Sequence, residues 1–456
     1  LWAIGLRLVQ ACEEKMKGVL PVKAFRYDSK KVGDLGQVLA PPYDVISPEL
    51  QKELYDQHPA NVVRMILGYQ YDTDDENNNR YTRARDDFSK FLKDGVIVQD
   101  AEPGFYVYDQ EFDLSGRGRV CRRGIIGRWR LTDEGGLLAH EKTLDGPKVD
   151  RFKLFRACKV VCSQVFSFYT DPAKKIDAVL SQPGVMEFAA EGTTPDGIKH
   201  ILHIVRRQDA VDIISDVLSS SPQFIADGHH RYETTRNYRA ARIAELGGST
   251  GDEPFNFATV YMANTCQDGL VILPFNRMLH DVPGFSNERL LEALRADCVV
   301  THIDKPVDQV DLAVEAMGKD GSLVFGLYLQ GLGWHTVLVK PESRARFARD
   351  CGLHPAVAAL DVSWIHQRML LEMLGISLEA QAAKTNIDYH YDPVEIDAAV
   401  RANPARYQVG IIMNQVTAGQ IEAVAQAGEK MPQKSTYFFP KIISGLVIHP
   451  LEEQVP

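Results

Sequence analysis

"FIADGHHRYETTRNYRAAR", residues Phe224–Arg242, carries the junction on which the reading of the chain turns. The apolar run Phe224–Ala226 predicts a strand and Gly228 a tight turn. A helix follows, with Arg231 in its first turn and Ala240, Ile243 and Ala244 on one face. Backbone N–H groups and the positive end of the helix dipole converge at such a junction, which is why phosphate binds there. Arg231 adds a planar fork of donors, and His229 and His230 can add more. Asp227 is out of place beside a bare phosphate and makes sense against Mg²⁺, a ribose or a substrate amine. Zinc fits poorly, because adjacent histidines seldom face one metal and no carboxylate or thiol follows at ligand spacing, so no protein metal ligand is assigned. A surface turn with neighbouring histidines is the competing interpretation. One histidine would favour it; D-G-H-H-R at a strand-to-helix turn does not.

The 456 residues exceed the usual size of one core and predict two or three domains. A hydrophobic fraction of 45% and a charged fraction of 25% are those of a globular protein, and a net charge of -10 argues against broad nucleic-acid binding. Any anion site is therefore local. Seven cysteines, an odd number spread over a large chain, suit a reducing compartment, and the expected location is cytoplasmic. Cys158 and Cys162 read as buried thiols. No apolar run is long enough for a membrane span. With Met16 just ahead of "KGVLPVKAFRY", residues 1–18 read as an extension outside the core.

The expected fold is α+β, with an amino-terminal α+β part over 19–285 that contains the phosphate turn and a carboxyl-terminal α/β part over 286–456. Ser47–Pro48 opens a helix after the rigid loop "PPYDV", and another helix spans about Arg80–Leu92. The alternation on both sides of "SGRG" predicts a β-hairpin whose arginines Arg117, Arg119, Arg122, Arg123, Arg128 and Arg130 form a solvated strand face. "FATVYMANTC" and "LVILPFNRML" read as buried strands, Ser363–Leu374 as a long helix, and Thr417 as the cap of a late helix.

Two further stretches are candidates for the same site. "LLAHEKTLDGPKVDRFKLFRA" gathers His140, Glu141, Lys148, Asp150 and Arg151 at the start of a helix, supplying a candidate base and candidate phosphate ligands. "MPQKSTYFFPK" holds Lys434, Ser435 and Thr436 in a stiff loop between prolines. Asp44, in the "PPYDV" loop, joins the secondary candidates.

From about Val22 to Leu446 the chain resembles the domain-of-unknown-function 1015 family, through "APPYDVI", "HEKT", "PKVDR", "IADGHHRYET", "VILPFNR" and "MPQKSTYFFPK". A shorter likeness, in His140–Glu141, Asp227–Arg231 and the loop from Pro432 to Thr436, is to the ADP-dependent free serine kinases of the ParB/sulfiredoxin-like nucleotide-binding superfamily. That resemblance implies a ParB/sulfiredoxin-like core with a second domain closing the site. It implies Glu141 as the base for a serine hydroxyl, Asp227 as a catalytic or metal-linked carboxylate, and Gly228, His229, His230 and Arg231 as nucleotide-phosphate ligands. Lys434, Ser435 and Thr436 would contact an amino acid or phosphoamino acid. Mg²⁺ and ADP or ATP are the implied cofactor and co-substrate, and phosphate transfer could run in either direction. The alternative is a nucleotide-binding switch of the ParB-like superfamily without turnover.

Overall fold

The computed structural model describes residues 18–114, 118–133, 136–141 and 145–456, and the chain divides into two compact units. The first comprises Leu1–Ala139, Thr143–Leu270 and Pro440–Pro456; the second comprises His140–Lys142 and Val271–Phe439. The division thus falls at residues 270 and 271, ahead of the expected 285, and the last seventeen residues return to the first unit. Of the stretch read as an extension, only Gly18 is among the described residues. Its carbonyl accepts from the N–H of Arg130 at 2.7 Å, which joins it to the core sheet. The hairpin tip at 115–117 and the "KTL" of 142–144 lie outside the described residues.

In the first unit eight strands form one sheet: β1 (Val19–Leu20), β2 (Phe105–Leu114), β3 (Gly118–Arg130), β4 (Val165–Tyr169), β5 (Glu187–Thr193), β6 (Lys199–Val205), β7 (Phe224–Asp227) and β8 (Phe257–Asn264). The order is β7-β4-β8-β3-β2-β6-β5, with β1 beside β3. Among the strand pairs of the described residues in this sheet, β4 and β8 pair in parallel and the rest are antiparallel. β2 and β3 make the expected hairpin, with Leu114 opposite Gly118. One expectation fails here. Arg122 is 0% exposed, because the hairpin sits inside the sheet rather than at its rim. Three helices matter to the site: α1 (Asp145–Cys158), α2 (Gln208–Ser220) and α3 (His229–Leu246). Ala210, Ile214 and Leu218 recur along one face of α2 and are buried with Phe105, Val107 and Ile225 in the main core. The buried face of α3 carries Tyr232, Thr235 and Tyr238, while Ala240 and Ala244 are not buried; of the predicted apolar face only Ile243 packs, beside Phe155 and Leu451.

The second unit has a six-stranded sheet. Its strands β10 (Asn276–His280), β11 (Cys298–His302), β12 (Val324–Leu329), β13 (Gly333–Val339), β14 (Ile387–His390) and β15 (Tyr407–Met413) follow a short β9 (Val271–Leu273). The order is β11-β13-β12-β15-β10-β14 and every pairing is antiparallel, so this unit is also α+β rather than α/β. "LVILPFNRML" is broken at Pro274, which lacks the N–H a continuing ladder needs. Its first half, β9, pairs with β16 (Tyr437–Phe439), and its second half, β10, enters the large sheet. Among the helices, α4 (Asn287–Asp297), α5 (Val307–Gly318), α6 (Pro393–Ala402) and α7 (Ala418–Gln426) are α-helical. Residues Ile365–Met373, expected as α-helix, wind as a π-helix after the single turn Asp361–Trp364. Thr417 caps α7 through a reciprocal bond with Gln420, as its sequence predicts.

Cys158 and Cys162 are buried thiols, and burial pushes Cys158 up to about 12. No helix among the described residues is long and apolar enough to cross a membrane. Trp334 anchors the core of the second unit, packing edge-on against Tyr328 at 5.3 Å and donating to Asp397 at 2.7 Å. Trp334→Ala is expected to lower the stability of this unit by about 3–5 kcal/mol, checked as an earlier denaturant transition.

Candidate functional site

β7 runs into α3 through one residue. Gly228 has φ 88° and ψ 29°, the left-handed region. A Cβ there would also stand 2.9 Å from the guanidinium of Arg231, so a side chain at this position would be strained and would displace Arg231. Pairing of β7 with β4 shifts between Ile225 and Asp227, a bulge that re-aims the end of the strand. The residue before α3, Gly228, has no side chain with which to cap it. An anion is the natural cap for a long helix that begins this way.

Asp227 is clamped at both oxygens. Oδ2 accepts from Nη2 of Arg231 and Oδ1 from Nζ of Lys441, each at 2.5 Å. Burial alone would push the carboxyl up, yet Lys441 and then Arg231 outweigh it and hold Asp227 down at about 2. Arg231, 5% exposed, gives its other terminal nitrogen to the carbonyl of Gln164. Its fork therefore lies under the turn and shapes it. Beneath lies Arg122, whose guanidinium stacks over Phe166 at 4.7 Å and donates to Gln110 and to the Pro440 carbonyl. Burial lowers the pKa of Arg122, and the field of Asp227 is among the opposing influences. His229 is buried and its positive form would stabilise the charge of Asp227.

The secondary candidates divide into two groups. His230 is held below its ordinary pKa by burial, opposed first by Asp44 and Glu233, with Lys148 adding to the depression. Lys148 pairs with Glu233 at 3.1 Å. Asp44 and Lys148 thus lie within electrostatic reach of the turn. Asp150 and Arg151 are occupied elsewhere: Asp150 accepts from Tyr81 at 2.8 Å and from Arg80 and Arg151, while Arg151 donates to the Ile66 carbonyl at 2.6 Å. They fasten α1 to its neighbours.

His140 and Glu141 belong to the second unit, although Leu138 just before them bridges Phe224 in parallel. The carbonyl of the buried His140 accepts from the N–H of Met431 at 2.9 Å, and Glu141 is half-buried. The structure therefore groups Glu141 with the chain that leads into Lys434–Thr436. In that loop Lys434 has φ 56°, a conformation uncommon outside glycine, and its ammonium lies 4.6 Å from the ring centre of Phe275. The Ser435 hydroxyl donates to the Pro432 carbonyl at 2.6 Å, and Thr436 is buried. The Lys434 carbonyl accepts from Arg277 at 3.2 Å.

Sequence reasoning passed over Lys441, Arg122 and Arg277 as site residues. Lys441 closes the quoted "MPQKSTYFFPK" and Arg277 ends "VILPFNR", so both lie within motifs that stand out. Nothing local marks either as a partner of distant residues. Mg²⁺ does not fit at Asp227 as arranged, since both carboxylate oxygens already accept from cations, and no group of three His, Cys, Asp or Glu side chains among the described residues is placed to hold a metal.

The chain is a two-unit α+β protein with a cation-lined strand-to-helix turn. It belongs to the family described as "protein of unknown function (DUF1015)", whose model matches residues 19–363. No curated protein matches it. Among solved structures it is similar to a free serine kinase variant in complex with ADP, at 12% identity and a TM-score of 0.30 over 68% of this chain and 89% of that one. A conserved hypothetical protein from Pyrococcus furiosus gives 14% and 0.28 over 68% and 90%. The truncated SbnI from Staphylococcus aureus gives 9% and 0.32 over 72% and 87%.

Gly228→Ala forces a left-handed side chain into the guanidinium of Arg231 and is expected to cost about 1–2 kcal/mol, or more if the clash does not relax, read from the unfolding transition of the first unit. Lys441→Met tests the clamp. Asp227 contributes stability that is present above its ordinary value of 3.8 and lost as pH falls toward about 2. Without Lys441 that depression shrinks, so the fall in stability between those two pH values should become shallower in unfolding measurements.

Proposed function

We propose that the protein is a nucleotide-dependent phosphotransferase with a ParB/sulfiredoxin-like core, acting in the cytoplasm on a small hydroxylated amino acid, serine or phosphoserine. One observation carries the reading. Around the start of α3, the cations Arg231, Lys441 and Arg122 gather about the carboxylate of Asp227, with His229 alongside and Lys148, Glu233 and Asp44 acting on the same turn. A gathering of fixed cations at a helix amino terminus suits an anion, and a nucleotide phosphate is one.

In this reading the first unit holds the phosphates of ADP or ATP against the turn Gly228–Arg231, with His230 as a further donor. Arg231 acts by shaping that turn, and Asp227 by fixing Arg231 and Lys441 in place. Glu141 takes the proton of the serine hydroxyl as its oxygen bonds to phosphorus, the bond to the nucleotide oxygen breaks, and Lys434, Ser435 and Thr436 contact the amino acid. Transfer of this kind needs alignment and charge neutralisation above all, which fixed cations provide. The choice of nucleotide follows the motif resemblance to free serine kinases, whose solved structures include complexes with ADP and AMP.

Purified protein with serine, Mg²⁺ and ADP or ATP should yield phosphoserine, and the reverse arm should consume it. Glu141→Gln is expected to cut the rate by about 10²-fold or more while leaving nucleotide affinity unchanged. Nucleotide binding without transfer to or from any amino acid would favour a switch protein of the same superfamily instead.

A further inference from the structure

We propose that the second unit contains a binding site for a small ligand carrying a carboxylate or phosphoryl group, with Arg277 as the side chain that receives the anion. The site is a cavity of about 470 Å³, all of whose lining residues belong to this unit. That volume is within the usual range for small-molecule pockets. Arg277, Arg344, Asp361, Asn414, Thr417 and Ser435 contribute to its wall.

Arg277 is the reason to assign an anion. It is 0% exposed and lies near the start of β10, just after the break at Pro274. Its guanidinium donates to the Phe275 carbonyl, and at 3.2 Å to both the Lys434 carbonyl and Nε2 of His366; Nε has no hydrogen-bond partner among the described residues. No carboxylate among the described residues forms an ion pair with it. Burial lowers its pKa to about 10, opposed only by Tyr389, so it remains charged at neutral pH. His366, pushed down to about 3 by burial and by Arg277, is neutral and neither adds to nor offsets that charge. A buried cation without a counter-ion is costly, and an uncharged donor would support a loop carbonyl equally well. A ligand anion in the adjoining cavity supplies the missing charge.

The cavity has a second polar end. Asp361 accepts from Asn414, and burial pushes its carboxyl up to about 6 against the pull of Arg344. Arg277 is not among the charges acting on Asp361, so the two groups do not satisfy each other. The receiving side chain is held from behind by the π-helix Ile365–Met373, which carries His366, and π-helical turns recur at functional sites. Ser435, on the same wall, ties the cavity to the Lys434–Thr436 loop, whose backbone Arg277 fixes.

The inference concerns binding and stands whether or not phosphate is transferred. Calorimetry on the full chain with inorganic phosphate, L-serine and O-phosphoserine distinguishes a phosphoryl ligand from a carboxylate one. At least one probe should bind. Arg277→Met should weaken that probe roughly tenfold or more, and Arg277→Lys, which keeps charge but loses the planar fork, by less. Arg119→Ala, on the exposed hairpin of the first unit, should leave it unchanged. Circular dichroism checks that each variant folds; where Arg277→Met does not, Arg277→Lys and Ser435→Ala still report on the cavity. Absence of binding by all three probes, or binding kept at full strength in both Arg277 variants, overturns the proposal. Binding that follows Arg277 in a protein with no transferase activity upholds it and rejects the phosphotransferase reading alone.

Discussion

The first unit depends on one carboxylate. Asp227 receives Arg231 from four residues further along and Lys441 from 214 residues away, so a single side chain sets the turn before α3 and secures the returning end of the chain. Such a group has little freedom to change partners. Removing one partner from a mostly buried ion cluster costs about 3–5 kcal/mol, since the remaining charges keep their desolvation penalty and lose its compensation. The same arrangement decides the chemistry of the turn. Both oxygens of Asp227 accept from cations, so this carboxylate serves the clamp rather than a metal ion.

Arg277 plays a comparable part in the second unit, by a different route. It is buried without a carboxylate, holds the backbone of Lys434 and faces a cavity. Two loops that look alike in sequence, each a short polar stretch beside an apolar run, are therefore shaped from underneath by arginines whose charge is handled in opposite ways: one neutralised by protein, the other left for something else.

Much of this was legible where the signal is local. The strand, glycine and helix of Phe224–Leu246, the hairpin Phe105–Arg130 and the caps at Ser47 and Thr417 follow from spacing and turn chemistry that act within a few residues. The break at Pro274 was legible too, in principle, because a residue without an N–H seldom continues a central strand. Long-range partners were not. Nothing near Lys441 announces Asp227, and nothing near Arg122 distinguishes it from the exposed Arg119 three positions earlier, which pairs with Glu111 at 3.1 Å. Which strand neighbours which decides burial, and alternation of helices with strands did not reveal that the second sheet is wholly antiparallel.

The return of Pro440–Pro456 to the first unit has a bearing on how the protein is made. The ribosome delivers β7 and α3 early, but Lys441 and the strand His449–Pro450, which pairs with Val160–Val161, emerge only after residues 271–439 have been synthesised. A nascent chain therefore carries Asp227 with half its clamp through the whole of that interval, and the first unit cannot complete its clamp until residues 271–439 have been synthesised.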